Sequence, residues 1–368
     1  MTSIRQFRTA EHVSDGHPDK FCDQVADRIL DRALDEASSP EELRAVRTAV
    51  EVTAKDHLVL VTGEVKLPGD IRGRLDVAEL VREVWRDIGY AEDGACLTVI
   101  DHLQAQSAEI ALGTDKQGAG DQGVMVGYAK DETPEMMPRE WVLARDLCLK
   151  LRELRTTGAL PWLRPDCKSQ VTLSPDGEIT SLILAAQHSP DITEAEVREA
   201  LLARAVAPVA GDVAEDRVVV NGTGLFTVGG PAGDAGVVGR KIVIDAYGPR
   251  VPVGGGAYSG KDPTKVDRSA AYMARQIAKT AVREAVGGAK ECLVTLAYGI
   301  GQYQPEMVTA VTEAGKDVSG WVGERFPDLS PAAIIERLGL LDRDGWCYTG
   351  TAAFGHYGRD CFPWEEPS

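Results

Sequence analysis

The chain has no surplus of positive charge: 40 Lys and Arg stand against 57 Asp and Glu, a formal net charge of −17 over 368 residues. A nucleic-acid or anionic-membrane surface needs clustered cations to displace counterions, so neither partner is expected. Any anionic ligand must be held by basic residues gathered locally. Apolar runs of membrane-spanning length are missing, and the opening MTSIRQFRTAEHV lacks the apolar core of a signal peptide. The seven cysteines (Cys22, Cys96, Cys148, Cys167, Cys292, Cys347 and Cys361) are an odd number, far apart, with no Cys-x-x-Cys and no histidines at zinc spacing. These absences point to reduced thiols in a cytoplasmic protein. No Walker loop or kinase signature is present either.

What is present begins with a hydrophobic fraction of 43%, spread evenly along a chain too long for one core, so several domains are expected. The stretch Gly16-His17-Pro18-Asp19-Lys20 puts an imidazole, a carboxylate and an ammonium at a helix start. It reads either as ordinary helix capping or as an anion or metal-phosphate site, since the free amides of a first turn favour both. From Asp19 the apolar positions Cys22, Val25, Ala26, Ile29 and Ala33 predict one amphipathic helix, ended by Ser38-Ser39-Pro40. Residues 45–53 and 57–66 predict a β-hairpin in which Glu51 and Glu64 face solvent. A helix over 77–88 and a strand over 96–101 follow.

The Gly118-Ala119-Gly120-Asp121-Gln122-Gly123 string matches G-x-G-x-x-G, but no buried strand precedes it, so a dinucleotide-binding turn is rejected in favour of a Gly-rich turn into a strand over 124–128. Leu143, Leu147, Leu151 and Leu154 mark a helix closed by Gly158, and a hairpin over 169–173 and 179–187 comes next. A helix over 193–206, a strand over 218–220, a Gly-rich loop system over 221–239, a strand over 241–245 and a helix over 266–286 complete the middle of the chain. Strands over 292–298 and 307–311 and a helix capped by Ser330, with Pro331 at its first position, close it. Each third offers strands, a long helix and a Gly-rich turn: three similar α/β layers with helices on one sheet face, without a repeat in the sequence.

Lys20, Lys168, Arg240, Lys241, Lys261 and Lys265 gather at the Gly-rich segments, each near a carboxylate: Asp19, Asp166, Asp234, Asp245, Asp262 or Asp267. Singly these are solvated charge pairs. Together they suit a polyphosphate with divalent metal.

The strings GHPDKFCDQVAD, GAGDQGVMVGYA, LPWLRPDCKSQV, GGPAGDAGVVGRK, GGGAYSGKDPTKVDRSAAY and TAAFGHYGR closely resemble the S-adenosylmethionine synthetase (methionine adenosyltransferase) family, in order and along nearly the whole chain. The resemblance implies an α+β, two-layer fold of three intertwined domains (1–105, 106–230 and 231–368) with pseudo-threefold symmetry. It implies attack of the methionine sulfur on C5′ of ATP, loss of triphosphate and its hydrolysis to pyrophosphate and phosphate. A thioether carries no proton, so no general base is required for the first step, and alignment and charge stabilisation supply the rate.

Carried over by position, His17 resembles the donor at the leaving oxygen. Lys20, Lys168, Arg240, Lys241, Lys261 and Lys265 resemble the phosphate-facing cations, with Lys265 shared with the amino acid. Asp19 and Asp267 resemble the carboxylates for two Mg2+ ions, and Glu51 the K+ ligand. Glu64, Gln106, Asp121, Asp234 and Lys265 match methionine-binding positions. Asp166, Leu225, Asp234 and Ala257 match ATP-binding ones, and Phe226 matches the ring that stacks on adenine. A homodimer or dimer of dimers with shared sites is implied. Two departures stand out: Leu225 replaces the family's usual Arg in Asn221-Gly222-Thr223-Gly224-Leu225-Phe226, and the gate between Gln106 and Gly118 is shortened, reading Ser107-Ala108-Glu109. They motivate, beside the main reading, a paralogue with a shifted nucleotide or methionine-analogue preference. A noncatalytic subunit of the same fold is the reading from another class.

Overall fold

The structure is a computed structural model that describes residues 8–90, 94–105 and 118–366. Its strands are β1 (Arg8–Val13), β2 (Arg47–Lys55), β3 (Leu58–Lys66), β4 (Thr98–Ala105), β5 (Gly123–Lys130), β6 (Leu163–Leu173), β7 (Ile179–His188), β8 (Val218–Val220), β9 (Gly236–Val237), β10 (Glu291–Tyr298) and β11 (Met307–Thr312). They form three sheets in the orders β4-β3-β2-β9, β1-β6-β7-β8 and β11-β10-β5. The first two are mixed through the parallel pairs β3/β4 and β7/β8, and the third is antiparallel throughout. Each sheet borrows one strand from a distant part of the chain: β9, β1 and β5. The three α+β layers are therefore intertwined, because removing any borrowed strand strips a hydrogen-bonded edge from a neighbour.

Long helices cover one face of each sheet: α1 (Pro18–Asp35) and α2 (Val77–Ile88) the first, α3 (Arg139–Thr156) the second, and α5 (Val266–Arg283) the third. The alternation Val50, Val52, Ala54 in β2 and Val59, Val61, Val65 in β3 buries one face against α1. Gly89, in the left-handed region at φ 82°, closes α2 as a C-terminal cap. The helix α4 (Glu194–Leu201) starts from a capping box of Thr193 and Glu196, then widens into a π-helical turn over Leu202–Val206.

Two segments differ from their sequence pattern. Residues 241–245 read as a strand, yet Ile242–Asp245 is a helical turn. Lys241 reaches Asp19 while Asp245 reaches Lys20, two adjacent residues at the start of α1. Four residues of strand would span about 13 Å, whereas one helical turn spans about 6 Å. The tertiary partners therefore select the turn over the β-branched preference of Ile-Val-Ile. The expected loop system 221–239 likewise contains β9 and a helical turn, Gly230–Gly233.

The polar side of α1 carries a device that its sequence displays but that apolar spacing does not single out. Asp19, Asp23, Asp27, Asp31 and Asp35 recur every four residues, and each receives a partner from the chain after Asn221. Asp19 accepts from Val237 N, Asp23 from Gly239 N, and Asp27 from Gly260 N and Arg268. Asp31 accepts from Tyr348 N and Thr349 N, and Asp35 from Arg343. Four residues advance a helix by one turn plus 40°, so the row winds gradually and docks successive loops along the helix.

Candidate functional site

At the head of α1, His17 is the N-cap: its Nδ1 accepts the backbone N–H of Asp19 at 3.1 Å. A neutral ring with that acceptor carries its proton on Nε2 and is a donor there. Burial, followed by the nearby Lys241 ammonium, lowers its pKa to about 3. The ring stays neutral near pH 7. Gly16 lets the chain pass Pro165, since a Cβ at Gly16 would stand 2.3 Å from the proline Cβ. Ser14 Oγ donates to Pro165 O at 2.6 Å and accepts from Cys167 N at 2.8 Å, which fixes the His17 turn beside Asp166 and Lys168 of β6.

Asp19 is buried, with Oδ2 at 2.6 Å from Lys241 Nζ, Oδ1 at 2.9 Å from Val237 N, and Arg240 at 3.7 Å. Burial pushes its carboxyl up, but Lys241 and the Val237 amide outweigh it and the net direction is down. Lys20 is fully buried, its ammonium held by Asp23 at 2.9 Å and by Asp245. Burial opposes its charge, and the two carboxylates outweigh burial and raise its pKa. Lys168 is exposed on β6. Asp166 is buried; its Oδ2 accepts Gly230 N at 2.8 Å while Oδ1 has no partner. Burial raises its pKa to about 6. Asp234 and Arg240 lie exposed beside this group, and the adjoining loop carries half-buried Phe226 and Leu225, which is 64% exposed.

A second group forms around α5. Lys261 Nζ lies 2.7 Å from Asp267 Oδ2, and Lys265 pairs with buried Asp262, which also accepts Thr48 N at 2.8 Å. Gly256 is required where the Gly254–Gly256 run passes Asp267: a Cβ there would stand 2.3 Å from Oδ1. Glu51 and Glu64 project from the face of β2 and β3 opposite α1, in the register Glu51↔Thr62 and Ala49↔Glu64. Burial raises the Glu51 pKa, against the nearby Lys261. Ala257 packs toward Gly239, and Asp121 is exposed just before Gly123, which borders Asp267. Gln106 and the Ser107-Ala108-Glu109 departure lie outside the described residues.

Most of the sequence-predicted residues thus fall into two groups, His17/Asp19/Asp166/Lys168/Arg240/Lys241 and Glu51/Glu64/Lys261/Lys265/Asp267. Among the described residues no hydrogen bond or ion pair joins a functional side chain of one group to one of the other. Sequence reasoning did not single out Asp23 and Asp27, whose signal is the four-residue aspartate spacing, or His188, which lacks any local motif.

Three intertwined α+β layers whose Gly-rich segments present lysines beside buried aspartates define a class: enzymes that act on a phosphorylated substrate by positioning and charge. Family models place the chain more narrowly. Residues 5–108 match the S-adenosylmethionine synthetase N-terminal domain, 116–226 the central domain and 228–366 the C-terminal domain. The chain is similar to proteins named S-adenosylmethionine synthase: 43% identical to that of Petrotoga mobilis over 97% of this chain and 95% of that protein. It is 41% identical to that of Thermus thermophilus over 97% and 95%. The chain belongs to the S-adenosylmethionine synthetase family, the ATP-dependent methionine adenosyltransferases, and its reaction is S-adenosylmethionine synthesis. Among the described residues no helix is long and apolar enough to cross a membrane.

Proposed function

We propose that the adenosyl transfer runs between the two groups, brought face to face by a second copy of the chain. The observation that carries this reading is the division itself: each group holds lysines and at least one aspartate, Asp19 and Asp166 in the first and Asp267 in the second, and neither is a complete triphosphate site. The sheet face bearing Glu51 and Glu64 also exposes Leu58 (46%) and Ile100 (47%), apolar surface suited to burial against a partner. A homodimer, or a dimer of dimers, follows.

In this reading the His17 Nε2–H donates to the leaving oxygen, while Lys168, Arg240, Lys241, Lys261 and Lys265 meet the phosphates. Lys20 acts from beneath, holding Asp23 and Asp245. The unpaired Asp166 Oδ1 accepts from a ribose hydroxyl, and Phe226 stacks on adenine beside Leu225 and Ala257. Glu64, Gln106, Asp121, Asp234 and Lys265 hold methionine. The sulfur needs no base, so these groups contribute orientation and stabilise charge on the leaving triphosphate. The same cations retain the triphosphate for hydrolysis to pyrophosphate and phosphate.

Metal ions fit the donor chemistry. Among the described residues no cluster of three or more His, Cys, Asp or Glu could hold an ion alone. Asp19 and Asp267 instead offer single hard carboxylates that await substrate oxygens, the pattern of Mg2+ bound with a polyphosphate. Two Mg2+ ions would be held by these residues and would neutralise phosphate charge, and Glu51 would hold K+. The domain limits 1–105, 106–230 and 231–368 and a cytoplasmic setting, consistent with buried thiols at Cys22, Cys148, Cys167 and Cys292, belong to the same reading.

The test mixes two inactive variants, His17→Asn and Lys261→Ala, after dissociation and reassociation. Sulfonium product from the mixture, with little from either alone, supports shared sites, and its absence with intact dimers overturns them. Omitting Mg2+ or K+ from the parent assay tests the ion assignments.

A further inference from the structure

The parallel ladder of β7 and β8 ends at the pair Leu184↔Val220, and Asn221 then turns away through the left-handed region at φ 44°. The loop that follows is nevertheless held to three successive residues of β7 by side chains. Asn221 takes the place of a strand: its Oδ1 accepts Ala186 N at 2.8 Å and its Nδ2 donates to Ala186 O at 3.1 Å. Gln187 accepts from Asp166 N at 3.3 Å and donates to Thr227 O at 3.2 Å. His188 holds both backbone groups of Phe226. Its own N–H donates to Phe226 O at 2.9 Å, and its Nε2 accepts Phe226 N–H at 3.2 Å.

The remaining ring nitrogen settles the tautomer. His188 Nδ1 lies 2.8 Å from Ser189 O, and with Nε2 accepting a peptide N–H the single proton of a neutral ring sits on Nδ1 and is donated to that carbonyl. The imidazole is completely buried, whereas Phe226 is half-buried between Leu225 and Val228, exposed by 64% and 62%. A fully buried side chain thus aims its last acceptor at the backbone of a half-buried aromatic residue that has exposed apolar neighbours in sequence. Ordering such a loop only on binding would cost backbone entropy for every residue it fixes. A loop already fixed saves that cost.

We propose that His188 is a positioning residue for the nucleotide: it clamps the Phe226 backbone so that the ring is presented to the base before ATP arrives. The proposal rests on the reading of Phe226 as the adenine platform. Losing the acceptor leaves a partly buried N–H without its protein partner, and the effect falls on base binding alone.

The experiment compares His188→Leu, which removes the acceptor, with His188→Gln, whose amide oxygen reaches the Nε2 position. Phe226→Ala and the Phe226→Ala/His188→Leu double variant complete the set. The probes are ATP, methionine and inorganic tripolyphosphate, which has no base. His188→Leu is expected to raise KM for ATP several-fold and at most about tenfold, as the loss of one partly buried hydrogen bond implies. The methionine KM and tripolyphosphate affinity by calorimetry should stay within about twofold, and His188→Gln should recover the ATP KM. The double variant should equal Phe226→Ala, because His188 acts through that residue.

If Phe226→Ala raises the ATP KM and His188→Leu does not, the clamp is overturned and the platform stands. If Phe226→Ala leaves it unchanged, the platform falls and the clamp with it. Parallel losses of ATP and tripolyphosphate binding in His188→Leu would show a general structural role and overturn the proposal. Should the leucine variant not fold, His188→Asn, polar but too short to reach Phe226 N–H, carries the same expectations.

Discussion

Asp27 and Arg268 form a two-pronged pair sealed from solvent: Arg268 Nη1 and Nη2 lie 2.6 and 2.9 Å from the two Asp27 oxygens, and both side chains are 0% exposed. The pair joins α1 to α5, so the helix that starts with His17 and the helix that carries Asp267 are tied together by a buried ion pair. Arg268 also donates to Lys261 O at 3.0 Å, which ties the pair to the Lys261–Asp267 group. Buried pairs contribute little net stability when formed, but breaking one strands a charge.

Asp27→Asn is therefore expected to lower stability by about 3 kcal/mol, the cost of an unpaired buried cation. The amide oxygen can still accept Gly260 N, so the loss reports the charge rather than the loop contact. Asp27→Leu combined with Arg268→Met should lose less than the single change, as judged by the thermal midpoint.

His17→Asn should reduce the rate of sulfonium formation by roughly a hundredfold to a thousandfold, the loss expected for one donor to developing charge. The rate should show no inflection from this ring near neutrality, because burial and Lys241 hold its pKa at about 3. The sign follows from linkage: the unfolded ring takes a proton near 6.5, the folded ring only near 3. Stability is thus full above that upper value and is lost as the pH falls, and titrating the thermal midpoint checks it.

Asp166→Asn should raise KM for ATP while leaving the protein at least as stable at pH 7.5. Burial lifts the carboxyl from 3.8 to about 6, so the folded state binds its proton more tightly than the unfolded state does. The stability this brings is present in acid and lost as the pH rises through about 6. The amide removes that loss and keeps an acceptor for Gly230 N. In the parent enzyme, KM for ATP should worsen as the pH falls below about 6.

Leu225→Arg should leave the thermal midpoint unchanged, since the side chain is 64% exposed, and should alter the ratio of catalytic efficiencies between ATP and base-altered nucleotides. An unchanged ratio would remove Leu225 from base selection.

Much of this protein is legible in its amino-acid order. Apolar spacing marks α1, α2, α3 and α5, alternation marks the β2–β3 hairpin, and Ser330 and Pro331 mark a helix start that the structure retains. These signals are local, because one face of each element must be apolar to be buried. The Gly-rich strings also declare where lysines and aspartates gather. What local order cannot state is which distant group each side chain meets. Only tertiary structure decides that residues 241–245 coil into a turn to serve Asp19 and Lys20 together, and that Lys20 is buried beneath the site. It also decides that His188 holds Phe226 across 38 positions of chain. Each outcome depends on charges and hydrogen-bonding groups brought together by folding, and their energies exist only once water has been excluded around them.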